Sequence, residues 1–349
     1  MGFNKLIERL YLKVFVGIAT SYSGADVVVE LRKGSKVQER AAKSFDADAT
    51  EAVAAFLEPY LAESPFHYVA YLNSTAEQGV LPVATEKEAQ VFVDLSTNVT
   101  VSQKNTWLLY SSKPALDELK KRYSKIGVDF IFSPFNIVER FFKEKLDAPA
   151  SLYVLAEEDA ISAVVFAEGR LLYGKRLMLP REETINLSEG DENDTIRLSF
   201  ELDVDGIEEG LELDDINAID DLEGLDDLHE IEDLDTLDDL DSFAEELEVG
   251  EIEAEPEAEA LSEAETPMEH FGKDYKRFQL IQSALQEYYS DPQFDSRFVE
   301  SVYVADGCGV SDDLKLYLEE ELFVKVYVRR IDIAAEVADL ARVEAGDAS

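Results

Sequence analysis

The chain has 349 residues, room for about two domains, and sets 32 Lys and Arg against 76 Asp and Glu, a net charge of −44. That balance excludes an extended nucleic-acid interface, which needs clustered cations. The single cysteine, Cys308, excludes an intramolecular disulfide and fits a reducing compartment.

The acidity is local. Between Glu201 and His270 there are 31 acidic residues and no Lys or Arg, which leaves 45 acidic against 32 basic residues elsewhere. The rest of the chain therefore has the composition of an ordinary globular body. No apolar run reaches the ~18 residues of a membrane-spanning helix, so the reading is a cytoplasmic protein.

In chain order, Gly2 to Lys13 places Phe3, Leu6, Ile7 and Leu10 at helical spacing among cations. This is an amphipathic segment suited to its own domain, to a partner or to peripheral contact with the inner face of a membrane. Strands are predicted at Val14 to Ala19, Ala25 to Arg32 and Val37 to Phe45, with turns at Ser23-Gly24 and Lys33-Gly34-Ser35. A helix over Glu51 to Glu63 and a strand over Phe66 to Leu72 follow. Gly79 to Thr106 is weakly patterned and is expected to hold one or two short strands.

Order returns with a strand at Trp107 to Tyr110, a helix from Ala115 to Lys125, a strand at Val128 to Phe132 and a helix at Phe135 to Glu144. Further strands are predicted at Leu152 to Leu155, Ser162 to Ala167 and Leu171 to Leu179, the last two joined through a tight Glu168-Gly169 turn. A helix over Tyr275 to Tyr289 leads to the closing unit, Arg297 to Arg330. There a strand over Val299 to Val304 runs into Asp306-Gly307-Cys308-Gly309. Ser311 is placed to cap a helix carrying Leu314, Leu318 and Leu322, and Phe323 to Val328 is again strand-like. Three strands, helix, strand, helix, and then the same again: the pattern implies two related α/β halves, 14–150 and 151–188 with 271–335, and a C-terminal tail over 336–349.

The insert between the parts of the second half, 189–270, has its own signature. From Leu213 to Phe243 every third residue is apolar and most of the others are Asp or Glu. On an α-helix a three-residue step slips about 60°, so the apolar groups wind round all sides. Like-charge repulsion opposes collapse, and the segment is expected to be disordered. It reads either as a solubilising linker or as a docking segment for a basic partner or a secretion ATPase, in which Leu222, Leu225, Leu228, Leu234, Leu237 and Leu240 would carry the contact. Calcium binding has weaker support, because no Gly-centred loop ending in Glu is visible.

The stretch WLLYSSKPALDELKKRYSKIGVDFIFSPFNIVERFF at Trp107 to Phe142 resembles the junction of the two halves in the PilM family, actin-like cytoplasmic proteins of the type IV pilus inner-membrane platform. SAVVFAEGRLLYGKRLMLP at Ser162 to Pro180 is similar to the hairpin that opens their second half. KDYKRFQLIQSALQEYY with VESVYVADGCGVSDDLKLYLEEELFVKVYV is similar to their closing helix and adenosine-side turn. The cytoplasmic domain of the GspL family of type II secretion platforms shares this architecture. The resemblance covers roughly 12–180 and 272–332. It implies an α/β, actin-like fold of duplicated ribonuclease-H-like halves carrying a long acidic insertion. It also implies a non-enzymatic scaffold of a pilus, type II secretion or DNA-uptake platform that holds the cytoplasmic tail of a membrane-anchored assembly protein.

Nucleotide-binding members of that superfamily have an Asp-Ile-Gly-Ser type turn after the first strand. Here the place reads Val16-Gly17-Ile18-Ala19-Thr20-Ser21. The second phosphate turn reads Leu155-Ala156-Glu157-Glu158-Asp159 and has no glycine. Gly17, Asp306, Gly307 and Gly309 remain as vestigial nucleotide positions, ATP hydrolysis is not expected, and no cofactor is assigned. The alternative is a nucleotide-binding switch or kinase-like enzyme using Gly307 and Gly309 with Mg²⁺ at Glu157 to Asp159. A third reading is an acidic docking protein whose fold only displays the insert. His67, His229 and His270 are too scattered for a metal site, Ser111, Ser112 and Ser162 lie in no nucleophile-elbow pattern, Cys308 reads as a structural thiol, and Arg140, Lys143 and Lys145 read as a solvated face.

Overall fold

The computed structural model describes residues 11–104, 106–180 and 267–346. Nearly all of the N-terminal amphipathic segment, and residues 189–266 of the acidic insert with its docking leucines, lie outside the described residues; the last four residues of the expected insert belong to a helix.

The first half opens with an antiparallel meander, β1 (Leu12–Thr20), β2 (Gly24–Lys33) and β3 (Lys36–Asp46). Helix α1 (Thr50–Glu63) then returns the chain so that β4 (His67–Leu72) lies parallel to β1. Strand β8 (Phe130–Phe132) adds parallel to β4, giving the sheet order β3-β2-β1-β4-β8. The second half repeats this plan. β9 (Ser151–Ala156), β10 (Ala160–Ala167) and β11 (Arg170–Met178) form the meander. After helix α5 (Pro267–Ser290), β12 (Ser301–Asp306) and β13 (Lys325–Arg330) add in parallel beside β9. Its order, β11-β10-β9-β12-β13, is the same permutation of three antiparallel strands and two parallel ones. The protein has the duplicated ribonuclease-H-like halves of an actin-like fold.

Local chemistry explains many of the boundaries. Glu168 (φ 53°) and Gly169 (φ 75°) are both left-handed, as the two-residue β10–β11 hairpin turn requires. After α2 (Glu86–Ala89) and α3 (Lys113–Arg122), helix α4 (Pro134–Phe141) starts with proline in its first turn and a capping box between Ser133 and Asn136. Helix α6 (Asp312–Leu322) is capped by Ser311, whose Oγ accepts the Asp313 N–H at 3.2 Å.

Strands buried on both faces read as continuous apolar runs, and each face has its own partner. Val14, Val16 and Ile18 of β1 pack with Val53 and Leu57 of α1. Phe15 faces the opposite way, into a core shared with Phe135 and Val138 of α4, Tyr153 and Leu155 of β9, and Val337 and Ala341 near the C-terminus. Leu152 and Val154 of β9 meet Ile281 and Leu285 of α5 and Leu314 and Leu318 of α6.

Two placements differ from the sequence expectation. Residues 336–349 were expected to be a tail, but Ile333–Glu344 is a helix, α7, capped where the Asp332 side chain accepts the Ala335 N–H at 2.9 Å. Ala334, Val337, Ala338 and Ala341 are buried, and α7 lies against β1, β2 and β4 of the first sheet although it follows the second half in sequence. Its alanines carry little apolar surface, so the pattern is quiet in sequence, yet they permit a close approach of helix to sheet at Gly17.

Strand β7 (Trp107–Ser112) was read with the first half. It pairs instead with β5 (Gln78–Leu81) and β6 (Asn98–Gln103), and this trio extends the second sheet beyond β11. The seam is the Lys175↔Gly79 pairing. A Cβ at Gly174 would stand 2.1 Å from Val80 Cγ2, and one at Gly79 would stand 2.6 Å from the Tyr110 hydroxyl, so glycine is needed on both sides.

Candidate functional site

The ends of β1, β4, β9 and β12 come into contact: Thr20 Oγ1 lies 3.0 Å from Ser74 Oγ, and the Gly307 N–H donates to the Ala156 carbonyl at 3.0 Å. Asp306 ends β12, and its side chain turns back over the glycine turn. Asp306 Oδ1 accepts the N–H groups of Cys308 (3.2 Å), Gly309 (2.7 Å) and Val310 (2.9 Å), while Oδ2 pairs with Arg330 Nε at 3.0 Å. The amide nest, the part of such a turn able to bind an anion, is thus occupied by a carboxylate of its own chain. The next amide, Ser311 N–H, donates to Asp274 Oδ2 at 2.7 Å.

The two candidate glycines have distinct roles. Gly309 takes φ +84°, which side-chain-bearing residues rarely adopt. At Gly307 a Cβ would lie 2.3 Å from Ile333 Cδ1, so this glycine admits the start of α7. Gly17 lies mid-strand under α7, where a Cβ would stand 2.0 Å from the Ala334 carbonyl oxygen. The structure therefore groups Asp306, Gly307 and Gly309 in one turn and assigns Gly17 to packing.

The second turn, Glu157 to Asp159, is closed by Glu157 N–H to Ala160 C=O at 2.9 Å. Glu157 forms a two-toothed ion pair with Arg176 of β11, one contact of which is 3.2 Å. Arg176 also donates to Ser162 Oγ (3.0 Å) and the Ser74 carbonyl (3.2 Å). Arg277 of α5 donates to Asp274 at 2.8 Å and reaches the carbonyls of Glu157 and Glu158 at 3.5 and 3.4 Å. All four charged side chains are buried. The two hairpins meet directly where Ser23 Oγ donates to Glu158 Oε2 at 2.6 Å. Burial, then the neighbouring Glu157 carboxylate, push the Asp159 carboxyl up to about 6, and burial pushes the Cys308 thiol up to about 12.

Chemically, this site is a set of ion pairs internal to the second half, Glu157–Arg176, Asp274–Arg277 and Asp306–Arg330, joined to the first half by the Ser23–Glu158 and Arg176–Ser74 hydrogen bonds. Both buried guanidiniums already face carboxylates, and no group of three or more His, Cys, Asp or Glu able to hold a metal ion occurs among the described residues. Sequence reasoning found Glu157 and Asp306 but missed Asp274, Arg277 and Arg176. Asp274 and Arg277 could have been noticed as an i,i+3 acid–base pair on the buried side of a helix.

A second concave feature lies beside β8. A groove of about 680 Å³ runs between β8 and the β6–β7 hairpin and is closed at one end by α4 and by Leu340 and Val343 of α7. Both β8 and β6 are terminal strands of their sheets, so each presents an unpaired edge. Val99 and Val101 are 38% and 52% exposed. The polar rim includes the Lys104–Glu139 ion pair at 2.5 Å and Arg140, which pairs with Asp339 and, at 3.6 Å, Glu336. Arg140 was expected on a solvated face; it instead joins α4 to α7.

With these sites described, comparison with known proteins places the chain. Residues 152–346 match the family described as Domain of unknown function (DUF8341). The chain belongs to this family. Residues 11–139 match a second description, Domain of unknown function (DUF8569), and the two spans divide where α4 gives way to β9. No curated protein matches.

Among solved structures, a Bacteroides thetaiotaomicron protein with actin-like ATPase fold and unknown function is 10% identical. The match covers 97% of this chain and 99% of that one at a TM-score of 0.45. A PilM–PilN type IV pilus biogenesis complex gives 12% identity, 94% and 98% coverage and 0.47. The ethanolamine utilization protein EutJ from Carboxydothermus hydrogenoformans gives 10% identity, 95% and 90% coverage and 0.40. No described helix is long and apolar enough to cross a membrane.

Proposed function

We propose that this member of the DUF8341 family is a non-catalytic actin-fold scaffold of a type IV pilus, type II secretion or DNA-uptake platform at the cytoplasmic face of a membrane. It holds an extended segment of a membrane-anchored partner in the groove beside β8. The observation that carries this reading is the groove itself, whose lining takes in the terminal strand β8 and, from the terminal strand β6, the exposed Val99 and Val101. An extended peptide gains main-chain hydrogen bonds from such an edge and specificity from the alternating side-chain positions. The absence of catalysis rests on Asp306, which takes the amides a phosphate would need.

The test is site-specific photocrosslinking in the parent cell with the reactive group at Val101. A crosslink to the cytoplasmic tail of a bitopic membrane protein, lost when Val99→Arg is added in the same groove, is the expected result. Crosslinks to no membrane protein would overturn the reading.

A further inference from the structure

A second edge has a different chemistry. β13 is the terminal strand of the second sheet. Alternation puts Lys325, Tyr327 and Arg329 on one of its faces. Tyr327 and Arg329 border a depression of about 710 Å³ together with Lys143 and Lys145 of the loop after α4, while Lys325 lies further along the strand. One carboxylate, Glu144, lies in the same lining. Arg329 stacks on the Phe141 ring with its guanidinium 4.7 Å from the centroid. The body that carries this surface has 45 acidic against 32 basic residues outside Glu201 to His270, so a local excess of cations runs against its balance.

The aromatic content points the same way. Tyr153, Tyr303 and Tyr327 are in register across β9, β12 and β13. Their rings stack in sequence at 5.2 and 5.0 Å, with interplanar angles of 11° and 15°. Tyr153 is fully buried, whereas Tyr327, at the end of the row, is 50% exposed. The next rung, about 4.8 Å further out, is open. Edge cations alone can serve to discourage aggregation. An edge guarded only in that way would not also expose Tyr327 and, on its other face, Val328 at 39%.

We infer that the free edge of β13 is a docking site for an acidic, extended peptide of a partner protein. The peptide adds as a further strand, sets an aromatic side chain on Tyr327 as the fourth rung, and places acidic side chains on either side against Lys325 and Arg329. Main-chain bonds supply affinity, and the cations select the acidic partner and speed its arrival.

The test uses the full chain and a labelled synthetic peptide with glutamate, phenylalanine and glutamate at alternate positions and threonine between, followed by fluorescence anisotropy. Saturable binding is expected. Lys325→Glu with Arg329→Glu should weaken it about tenfold or more, as reversal of two contacting charges implies, and Tyr327→Ser should weaken it as well. These side chains are exposed, so circular dichroism should show the variants folded. A peptide with proline at two adjacent positions should lose binding, because proline cannot donate to the edge. Equal binding of the proline peptide, or of a lysine-for-glutamate peptide, would overturn the inference. So would a dimer dispersed by the charge-reversal pair in sedimentation, which would assign the edge to a second copy. Co-flotation with phosphatidylglycerol vesicles abolished by the same pair would assign it to a membrane and overturn it equally.

Discussion

Gly17 and Ala334 meet backbone to backbone: a Cβ on the glycine would stand 2.0 Å from the Ala334 carbonyl oxygen and 2.5 Å from the Ala338 nitrogen. Through this contact the last helix of the chain closes over its first strand. Neither neighbour is a flexible side chain, so a larger residue at position 17 must push the whole of α7 away. Gly17→Val is expected to cost about 1–3 kcal/mol or more by overpacking, visible as a lowered denaturation midpoint. Truncation after Arg330 should abolish cooperative unfolding, because it uncovers Phe15 and Leu155. Retention of a normal transition by the truncated protein would show that α7 is dispensable.

The Asp306 carboxylate makes a prediction about nucleotide. ATP with Mg²⁺ should leave the melting temperature unchanged, whereas a ligand at 100 times its Kd would contribute about 2.7 kcal/mol. Asp306→Ala strands three amides and should destabilise by roughly 1–3 kcal/mol. Gly307→Val is a poor probe of binding, since its side chain would collide with Ile333. A clear ATP-dependent rise in the parent protein's melting temperature would refute the non-catalytic scaffold.

Asp159 gives a pH dependence with a definite sign. Its carboxyl titrates at about 6 in the fold, against 3.8 for an ordinary aspartate, with burial the main cause. Between these values the folded chain keeps a proton that the unfolded chain has lost, so stability falls as pH rises through the window and levels off above it. At neutral pH the charged form carries a penalty on the order of 1–3 kcal/mol. Asp159→Asn should therefore be more stable than the parent at neutral pH, with the difference shrinking as pH falls towards the lower end of the window. Urea titrations of both proteins across the window would expose the opposite trend if it exists.

For the acidic insert, the sequence yields a prediction that separates charge from side-chain register. Replacing Leu222, Leu225, Leu228, Leu234, Leu237 and Leu240 by serine keeps every carboxylate. If the leucines dock, this variant should fold as the parent does yet lose a partner that the parent recovers in a pull-down, three to five buried leucines being worth ~1.5–3 kcal/mol each before ordering costs. Equal recovery of the same partners would leave the segment a charged linker.

What the sequence settled by itself is what depends on near neighbours. The Glu168-Gly169 turn was legible because two successive left-handed residues are demanded there and glycine supplies one of them. Ser311 was legible as a cap, and the apolar runs of β1, β9 and β10 announced strands. The repeated order of three strands, helix, strand carried the duplicated fold. Tertiary structure decided what depends on residues far apart. β7 could join either sheet by its own pattern; the close seam at Gly79 and Gly174 fixed it in the second. The alanines of α7 gave too little apolar signal to call a core helix, and their value appears only against Gly17. In the candidate site, Asp306-Gly307-Cys308-Gly309 reads in sequence as a turn with amides free for an anion. Whether those amides are free depends on which way one carboxylate turns and on Arg330 and Asp274 beside it. Side-chain direction and partners drawn from distant elements are set by packing, and a pattern of residue types does not encode them locally.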